Sequence, residues 1–272
     1  MHSLEWLTLA AGVMAGFLGA LLGIGGGVLL VPLLNGFLGL SFAEARGVSL
    51  IGVLGTSSSA VMVPPGRRFV NPRLAIFLLF FSVSGALIGA KYLSGFSERT
   101  YEVIFGVTMA AVAIIMLGRR NTRNILPAAT EDLGTFGGRI HDDDTSCDVA
   151  YRVRRLPLAS GVAFLAGVLA SLIGIGGGIV VVPTLNSLCG VPLRVAAATG
   201  VLMIGVTAVP GSVAAWATGS LGDYHVAGLA CLGAVIGFQV GLRAGPYAAV
   251  KWLKTGMSVL LVLVAIQYLF LR

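Results

Sequence analysis

The chain alternates long apolar runs with short polar connections, and the runs come in two similar sets. Each set opens with an apolar segment that glycines interrupt, at residues 4–40 and again at 157–190. Three more apolar runs follow in each set, at about 43–63, 73–95 and 98–118 and then at about 193–218, 225–244 and 247–271. The runs lack the alternation of barrel strands, and about 20 helical residues cross a hydrocarbon core of about 30 Å. The pattern therefore predicts membrane-spanning helices.

The second set of runs repeats the first. Residues 16–35 and 167–186 share twelve identical residues in twenty positions. Both copies contain GIGGG, four further residues, a proline, two residues and an asparagine, starting at Gly23 and at Gly174. The chain is therefore predicted to be an internal duplication.

Positive charge predicts how the two repeats lie in the membrane, because short cytoplasmic segments are enriched in Lys and Arg. If each glycine-broken segment returns to the side from which it entered, fourteen of the eighteen Lys and Arg residues fall on one side. Each repeat then crosses the membrane an odd number of times, so the second copy is inverted relative to the first. We expect a cytoplasmic linker and extracytoplasmic termini.

The predicted fold is an all-α polytopic membrane protein made of two inverted repeats. Each repeat has a glycine-broken helical hairpin and three transmembrane helices. The number of membrane-spanning segments stays open, because residues 28–40 reach only about 20 Å as a helix. The alternatives are eight full spans with two hairpins, or about ten spans. The predicted domains are a first membrane repeat (1–118), a cytoplasmic linker (119–156) and a second, inverted repeat (157–272).

Composition supports a membrane protein and argues against several other classes. Hydrophobic residues make up 57% of the chain and charged residues 11%, against about 25% charged in a soluble domain. The net charge of +7 forms no basic face with interleaved aromatics, so no nucleic-acid partner is expected. No GxSxG, HExxH or SxxK motif occurs, and the three cysteines lack metal or disulfide spacing. We expect no enzyme activity, catalytic residue, cofactor or metal.

The duplicated glycines are the candidate binding site. Irregular backbone survives in hydrocarbon only where protein buries it or where it lines a watery cavity. A helix that starts near Gly26 or Gly27 would direct its first N–H groups and its positive dipole end at the membrane interior, and so provide a seat for an anion. Close helix packing is the alternative explanation of the glycines. The predicted substrate-binding residues are Gly25, Gly26, Gly27, Asn35, Thr56, Gly176, Gly177, Gly178, Asn186, Thr207 and Gln239.

Other polar or helix-breaking residues complete this prediction. Pro32 and Pro183 lack the N–H that would continue the helix bonding, and we expect a helix break at each. Thr56 lies in a stripe of small polar residues for which packing is the alternative role. Gln239 either bonds a neighbouring helix or contacts substrate. No Asp, Glu, Lys or Arg lies clearly in mid-span, so there is no intramembrane carboxylate to carry a proton and the sequence leaves H⁺ or Na⁺ coupling open.

The two GIGGG-x4-P-x2-N signatures, the odd repeat and the length resemble the sulfite exporter TauE/SafE family, also called the toluenesulfonate uptake permease family. The resemblance covers both membrane halves. It implies a bacterial or archaeal inner-membrane carrier for sulfur-containing or organic anions, such as sulfite, thiosulfate or sulfonates. Family members differ in substrate and direction, so neither is carried over.

These observations lead us to expect a secondary transporter of a small anion that works by alternating access. An anion channel and a non-transporting membrane scaffold subunit are the alternatives. The expected partners are the lipid bilayer and the small anionic substrate. The oligomeric state is open, with a homodimer as one arrangement.

Overall fold

The computed structural model describes residues 2–22, 25–62, 69–92, 95–118, 134–142, 147–244, 259 and 261–269. Gly23, Ile24, Arg67, Arg68 and most of the predicted last run at 247–271 lie outside these ranges. The helices of the first repeat are α1 (His2–Leu22), α2 (Gly27–Phe37), α3 (Phe42–Met62), α4 (Pro72–Tyr92) and α5 (Glu98–Gly118). Those of the second are α6 (Leu156–Ile173), α7 (Gly178–Ser187), α8 (Leu193–Ala217) and α9 (Tyr224–Ala244), and residues 261–269 are also helical.

The helices follow the predicted apolar runs closely, and the protein is a polytopic helical protein. Within the described ranges, four helices are long and apolar enough to cross a membrane: Pro72–Tyr92, Leu156–Ile173, Arg194–Ala217 and Tyr224–Ala244. Their outer faces carry large apolar side chains such as Phe80, Leu165 and Ile236. Such a surface suits lipid contact, since lipid tails solvate apolar side chains at no cost.

The linker corrects the all-α expectation. Strands β1 (Gly138–Asp142) and β2 (Cys147–Tyr151) pair antiparallel, with Gly138 opposite Tyr151. Tyr151 is buried, and its hydroxyl accepts a hydrogen bond of 2.9 Å from the Asn71 side chain at the start of α4. Asn71 also donates to the Phe136 carbonyl at 2.8 Å. The linker therefore forms a β-hairpin that packs on the helices, because it has an apolar face to bury.

The first helix of each repeat packs against the fourth helix of the other repeat. A Cβ atom on Gly237 of α9 would overlap the carbonyl oxygen of Val13 in α1. The same overlap recurs between Gly85 of α4 and Phe164 of α6, the residues that the duplication pairs with Gly237 and Val13. Glycine lets the backbones approach this closely. The packing between the halves is thus reciprocal.

The contacts also give the directions of the helices. Helix α3 runs parallel to α9, because Ile51 lies beside Cys231 and Ser59 beside Gln239. Helix α1 is parallel to α9 as well, with Gly12 beside Ala230 and Phe17 beside Gly241.

The equivalent helices α3 and α8 run antiparallel to each other. The Ser57 hydroxyl donates to the Val201 carbonyl at 2.7 Å, near the end of α3 and the start of α8. Gly47, near the start of α3, lies beside Ala215 and Ser220, at and beyond the end of α8. These two helices therefore form one of the contacts between the repeats.

Candidate functional site

The helical backbone is interrupted at the glycines in both repeats. Gly25 and Gly26 have φ of 80° and 69°, and Gly174 and Gly176 have φ of 73° and 70°. A side chain in this left-handed region costs roughly 1–2 kcal/mol, which glycine avoids. Helices restart at Gly27 and Gly178. Residues 25–27 and 174–178 are called the first and second glycine segments below.

Each short helix doubles back on the helix before it. A Cβ atom on Gly26 would lie 3.2 Å from the Ala15 carbonyl oxygen, and one on Gly177 would lie 2.9 Å from that of Ala166. Helix α2 runs antiparallel to α3, since Gly25 accepts from Thr56 while Gly27 accepts from Ser49. Because α3 is parallel to α1, α2 runs opposite to α1. The glycines therefore form the tips of helical hairpins.

The two glycine segments meet in the interior. A Cβ atom on Gly27 would lie 3.2 Å from the carbonyl oxygen of Ile175. A Cβ atom on Gly25 would lie 3.2 Å from the side chain of Ile204, and one on Gly176 would lie 3.3 Å from that of Val53. Val53 and Ile204 are equivalent in the duplication, and they pack together with Leu50 and Ala208. Tertiary packing brings together two motifs 151 residues apart in the sequence.

Part of the predicted anion seat is hydrogen bonded within the first hairpin. The Gly25 N–H donates to Gly19 at 3.4 Å and the Gly27 N–H to the Gly25 carbonyl at 2.7 Å. Leu29 and Leu30 both donate to the Gly26 carbonyl, at 3.1 and 3.2 Å. In the second hairpin Val180 and Val181 bond Gly177 in the same way, each at 3.2 Å. To bind here, an anion would have to replace the Gly19 and Gly25 carbonyls as the hydrogen-bond acceptors of the Gly25 and Gly27 N–H groups.

Hydroxyls of α3 hold the glycine segments. The Ser49 hydroxyl lies 2.7 Å from the Gly174 carbonyl and 3.1 Å from that of Gly27, so it bridges the two halves. The Thr56 hydroxyl lies 3.1 Å from the Val53 carbonyl of its own helix and 3.3 Å from the Gly25 carbonyl. Thr207 bonds only within its own helix among the contacts described, to Met203 and Ile204 at 2.9 and 3.0 Å. The two repeats therefore differ in polar contacts although their backbones correspond.

The structure does not bring the two asparagines to the glycine segments. The Asn35 amide donates to the Leu40 carbonyl at 2.7 Å, and the Asn186 amide to that of Val191 at 3.0 Å. Each thus closes the loop after its short helix. Asn35 also accepts a 2.6 Å hydrogen bond from the Tyr268 hydroxyl. Eight helical residues, about 12 Å, separate Asn35 from Gly27.

The prolines and Gln239 are also placed by the structure. Pro32 lies inside α2 and Pro183 inside α7, so the expectation of a helix break at each proline is corrected. The break falls at the glycines, because only they reach positive φ. The Gln239 side chain donates to the Ser59 carbonyl of α3 at 3.2 Å. Of its two predicted roles, bonding a neighbouring helix is the one present here.

Arg46 contacts the second glycine segment, and the sequence prediction did not include it. Its Cγ would lie 2.6 Å from a Cβ atom on Gly174, and its Nη1 donates to the Leu172 carbonyl at 3.3 Å. Its guanidinium also lies 5.1 Å from the centre of the Tyr101 ring. The available signal was helical spacing, since Arg46, Ser49, Val53 and Thr56 follow one face of α3.

Comparisons with known proteins support a family assignment. Residues 8–268 match the family model "Sulfite exporter TauE/SafE". The chain is 27% identical over 266 residues to the "Probable membrane transporter protein YunE" of Bacillus subtilis, which covers 95% of each chain. It is 26% identical over 268 residues to a "Probable membrane transporter protein" of Xylella fastidiosa, covering 98% of this chain and 95% of the relative. No solved structure matches it. The chain belongs to the sulfite exporter TauE/SafE family and is a multi-pass membrane protein of a transporter family.

Proposed function

We propose that the protein is a secondary transporter that moves a small sulfur-containing or organic anion across the inner membrane by alternating access. The observation that carries the proposal is the meeting of the two glycine segments, one from each repeat. Each segment starts a helix, and a helix N-terminus favours an anion through its N–H groups and its dipole. Sulfite, thiosulfate and sulfonate oxygens are acceptors that suit such donors.

The helix directions support inverted repeats. A hairpin that doubles back adds no net crossing, so three further helices carry each repeat across the membrane. An odd number of crossings turns the second repeat over. The antiparallel packing of the equivalent helices α3 and α8 supports this arrangement.

Alternating access requires the contact between the halves to open. In this conformation Val53 and Ile204 fill the space beside the glycine segments, and Ser49 bridges Gly27 and Gly174. We propose that substrate entry separates these contacts on one side at a time. The hairpin N–H groups would then exchange their internal carbonyl partners for oxygens of the anion.

Uptake into proteoliposomes tests the function. Purified protein is assayed with labelled sulfite, thiosulfate, an alkanesulfonate and a carboxylate of similar size, with and without a pH or Na⁺ gradient. We expect saturable uptake and counterflow of at least one sulfur oxyanion, with stimulation by the coupling gradient. Conductance without counterflow would indicate a channel, and no flux of any anion would contradict transport.

Two threonine variants test the site. Thr56 contacts Gly25 in addition to its own helix, whereas Thr207 bonds only its own helix among the contacts described, so Thr56→Val and Thr207→Val form a matched pair of equivalent positions. Removing one neutral hydrogen bond is worth about 1 kcal/mol. We expect Thr56→Val to raise the KM for the transported anion about fivefold and Thr207→Val to change it less. Equal KM values for both variants and the wild type would contradict the role of Thr56.

A further inference from the structure

Arg46 is a partly buried charged side chain on a helix that packs between the two repeats. It lies in the second turn of α3, partly buried, against the end of α6. A charged group in a membrane segment is costly unless it is paired, and it usually marks a substrate or ion path. The groups that Arg46 contacts therefore indicate its role.

The charge of Arg46 is only partly compensated. Nη1 bonds the Leu172 carbonyl, and the guanidinium lies near the Tyr101 ring. Its Nε is buried and has no hydrogen-bond partner in the part of the chain that the structure describes. No carboxylate there lies within ion-pair distance of it, unlike Arg99, which lies 3.5 Å from Glu102. A buried donor without a partner is destabilising, because it has lost its hydrogen bonds to water.

The fold does not require an arginine at this position. The duplication pairs Arg46 with Ala197 and Ser49 with Gly200. The backbone of the second repeat thus forms the corresponding helix α8 without a charge there. Stability alone would not favour a long cation with an unpaired Nε at one of two equivalent positions. Binding of an external acceptor accounts for both features.

We propose that Arg46 binds the negatively charged group of the transported anion beside the second glycine segment, an inference that rests on the function proposed above. The guanidinium supplies charge-assisted donors that suit oxyanion geometry. It lies one turn before Ser49, the residue that bridges the two glycine segments. The anion therefore meets a cation on one side of the seat and backbone N–H groups on the other.

Substitution of Arg46 in proteoliposomes tests the inference, with thiosulfate as a dianion and methanesulfonate as a monoanion. We expect Arg46→Gln to raise the KM for thiosulfate at least tenfold, and for methanesulfonate by less, because the lost interaction scales with substrate charge. Arg46→Lys should recover part of the affinity. Arg99→Gln is the matched control, since it removes a nearby cation that already pairs with Glu102, and it should leave KM unchanged.

The outcomes separate the inference from the function. If the wild type transports either anion and Arg46→Gln keeps its KM values, the role of Arg46 is overturned while the transporter stands. An equal rise for dianion and monoanion would indicate a structural role and would also overturn it. If Arg46→Gln does not fold, Arg46→Lys is used for the test instead. An unchanged KM for Arg46→Lys would then contradict the inference. If the wild type takes up neither thiosulfate, methanesulfonate nor any other anion of the panel above, both proposals are overturned.

Discussion

At the scale of single residues, backbone conformation determines where glycine is needed. Gly176 has φ of 70°, and a Cβ atom there would overlap the side chain of Ile204. Gly219 has φ of 69° but no atom within 4 Å of an added Cβ. Substitutions at Gly176 and Gly219 therefore distinguish the energetic cost of backbone strain from the cost of overpacking.

We expect Gly176→Ala to lower the free energy of unfolding by about 2–5 kcal/mol, the sum of left-handed strain and overpacking. Gly219→Ala should cost only the strain, about 1–2 kcal/mol. Thermal unfolding in detergent measures both. Equal losses would mean that the packing around Ile204 yields to an added methyl group.

At the scale of elements, the linker packs on α4 through Tyr151 and through Phe136, whose ring centre lies 5.1 Å from that of Phe77. Tyr151 is buried, and burial raises the pKa of its hydroxyl, opposed in part by the hydrogen bond from Asn71. Because the folded pKa is raised, the stability from neutral Tyr151 is present below the unfolded value of 10.0 and is lost as pH rises through the higher folded pKa.

Tyr151→Ala should therefore release the linker hairpin. The substitution removes the buried ring and the Asn71 hydrogen bond, and limited trypsin digestion should cut the arginine-rich linker at least several times faster. Tyr224→Ala is the control, because Tyr224 is 67% exposed. Cleavage of Tyr151→Ala at the wild-type rate would show that other contacts hold the linker.

At the scale of the whole molecule, the packing between the halves is reciprocal. Substitutions at equivalent positions should therefore have similar effects on stability. Gly237→Ala and Gly85→Ala each push a methyl group into a carbonyl of the facing helix. We expect both to destabilise by about 1–3 kcal/mol and by similar amounts. Gly228→Ala, on the same helix as Gly237 but in open space, should be neutral or stabilising by up to about 1 kcal/mol. Unfolding in detergent measures these changes in stability. Clearly unequal losses of stability for Gly237→Ala and Gly85→Ala would argue against equivalent interfaces.

The proposed orientation is a second prediction for the whole molecule. The charge distribution predicts a cytoplasmic linker and extracytoplasmic termini. A fluorescent protein fused after Arg120 should fluoresce, whereas alkaline phosphatase should be active only when fused after Arg272. Phosphatase activity after Arg120 would reverse the assignment.

Several features could be predicted from the sequence because they depend on local pattern. Apolar runs located the helices, and the repeated GIGGG located the helix starts at Gly27 and Gly178, since glycine there interrupts an otherwise regular helix. The linker hairpin was missed, because its stability comes from burying Tyr151 on distant helices rather than from a strong local signal.

The sequence by itself determined the membrane class, the duplication and the positions of the breaks, because composition and glycine conformation are properties of neighbouring residues. Only the tertiary structure decided which polar groups meet. It set Ser49 between the two glycine segments. It also brought Arg46 against Gly174. The contacts of Ser49 and Arg46 with Gly174 join residues more than a hundred positions apart, and they depend on how closely the two repeats pack.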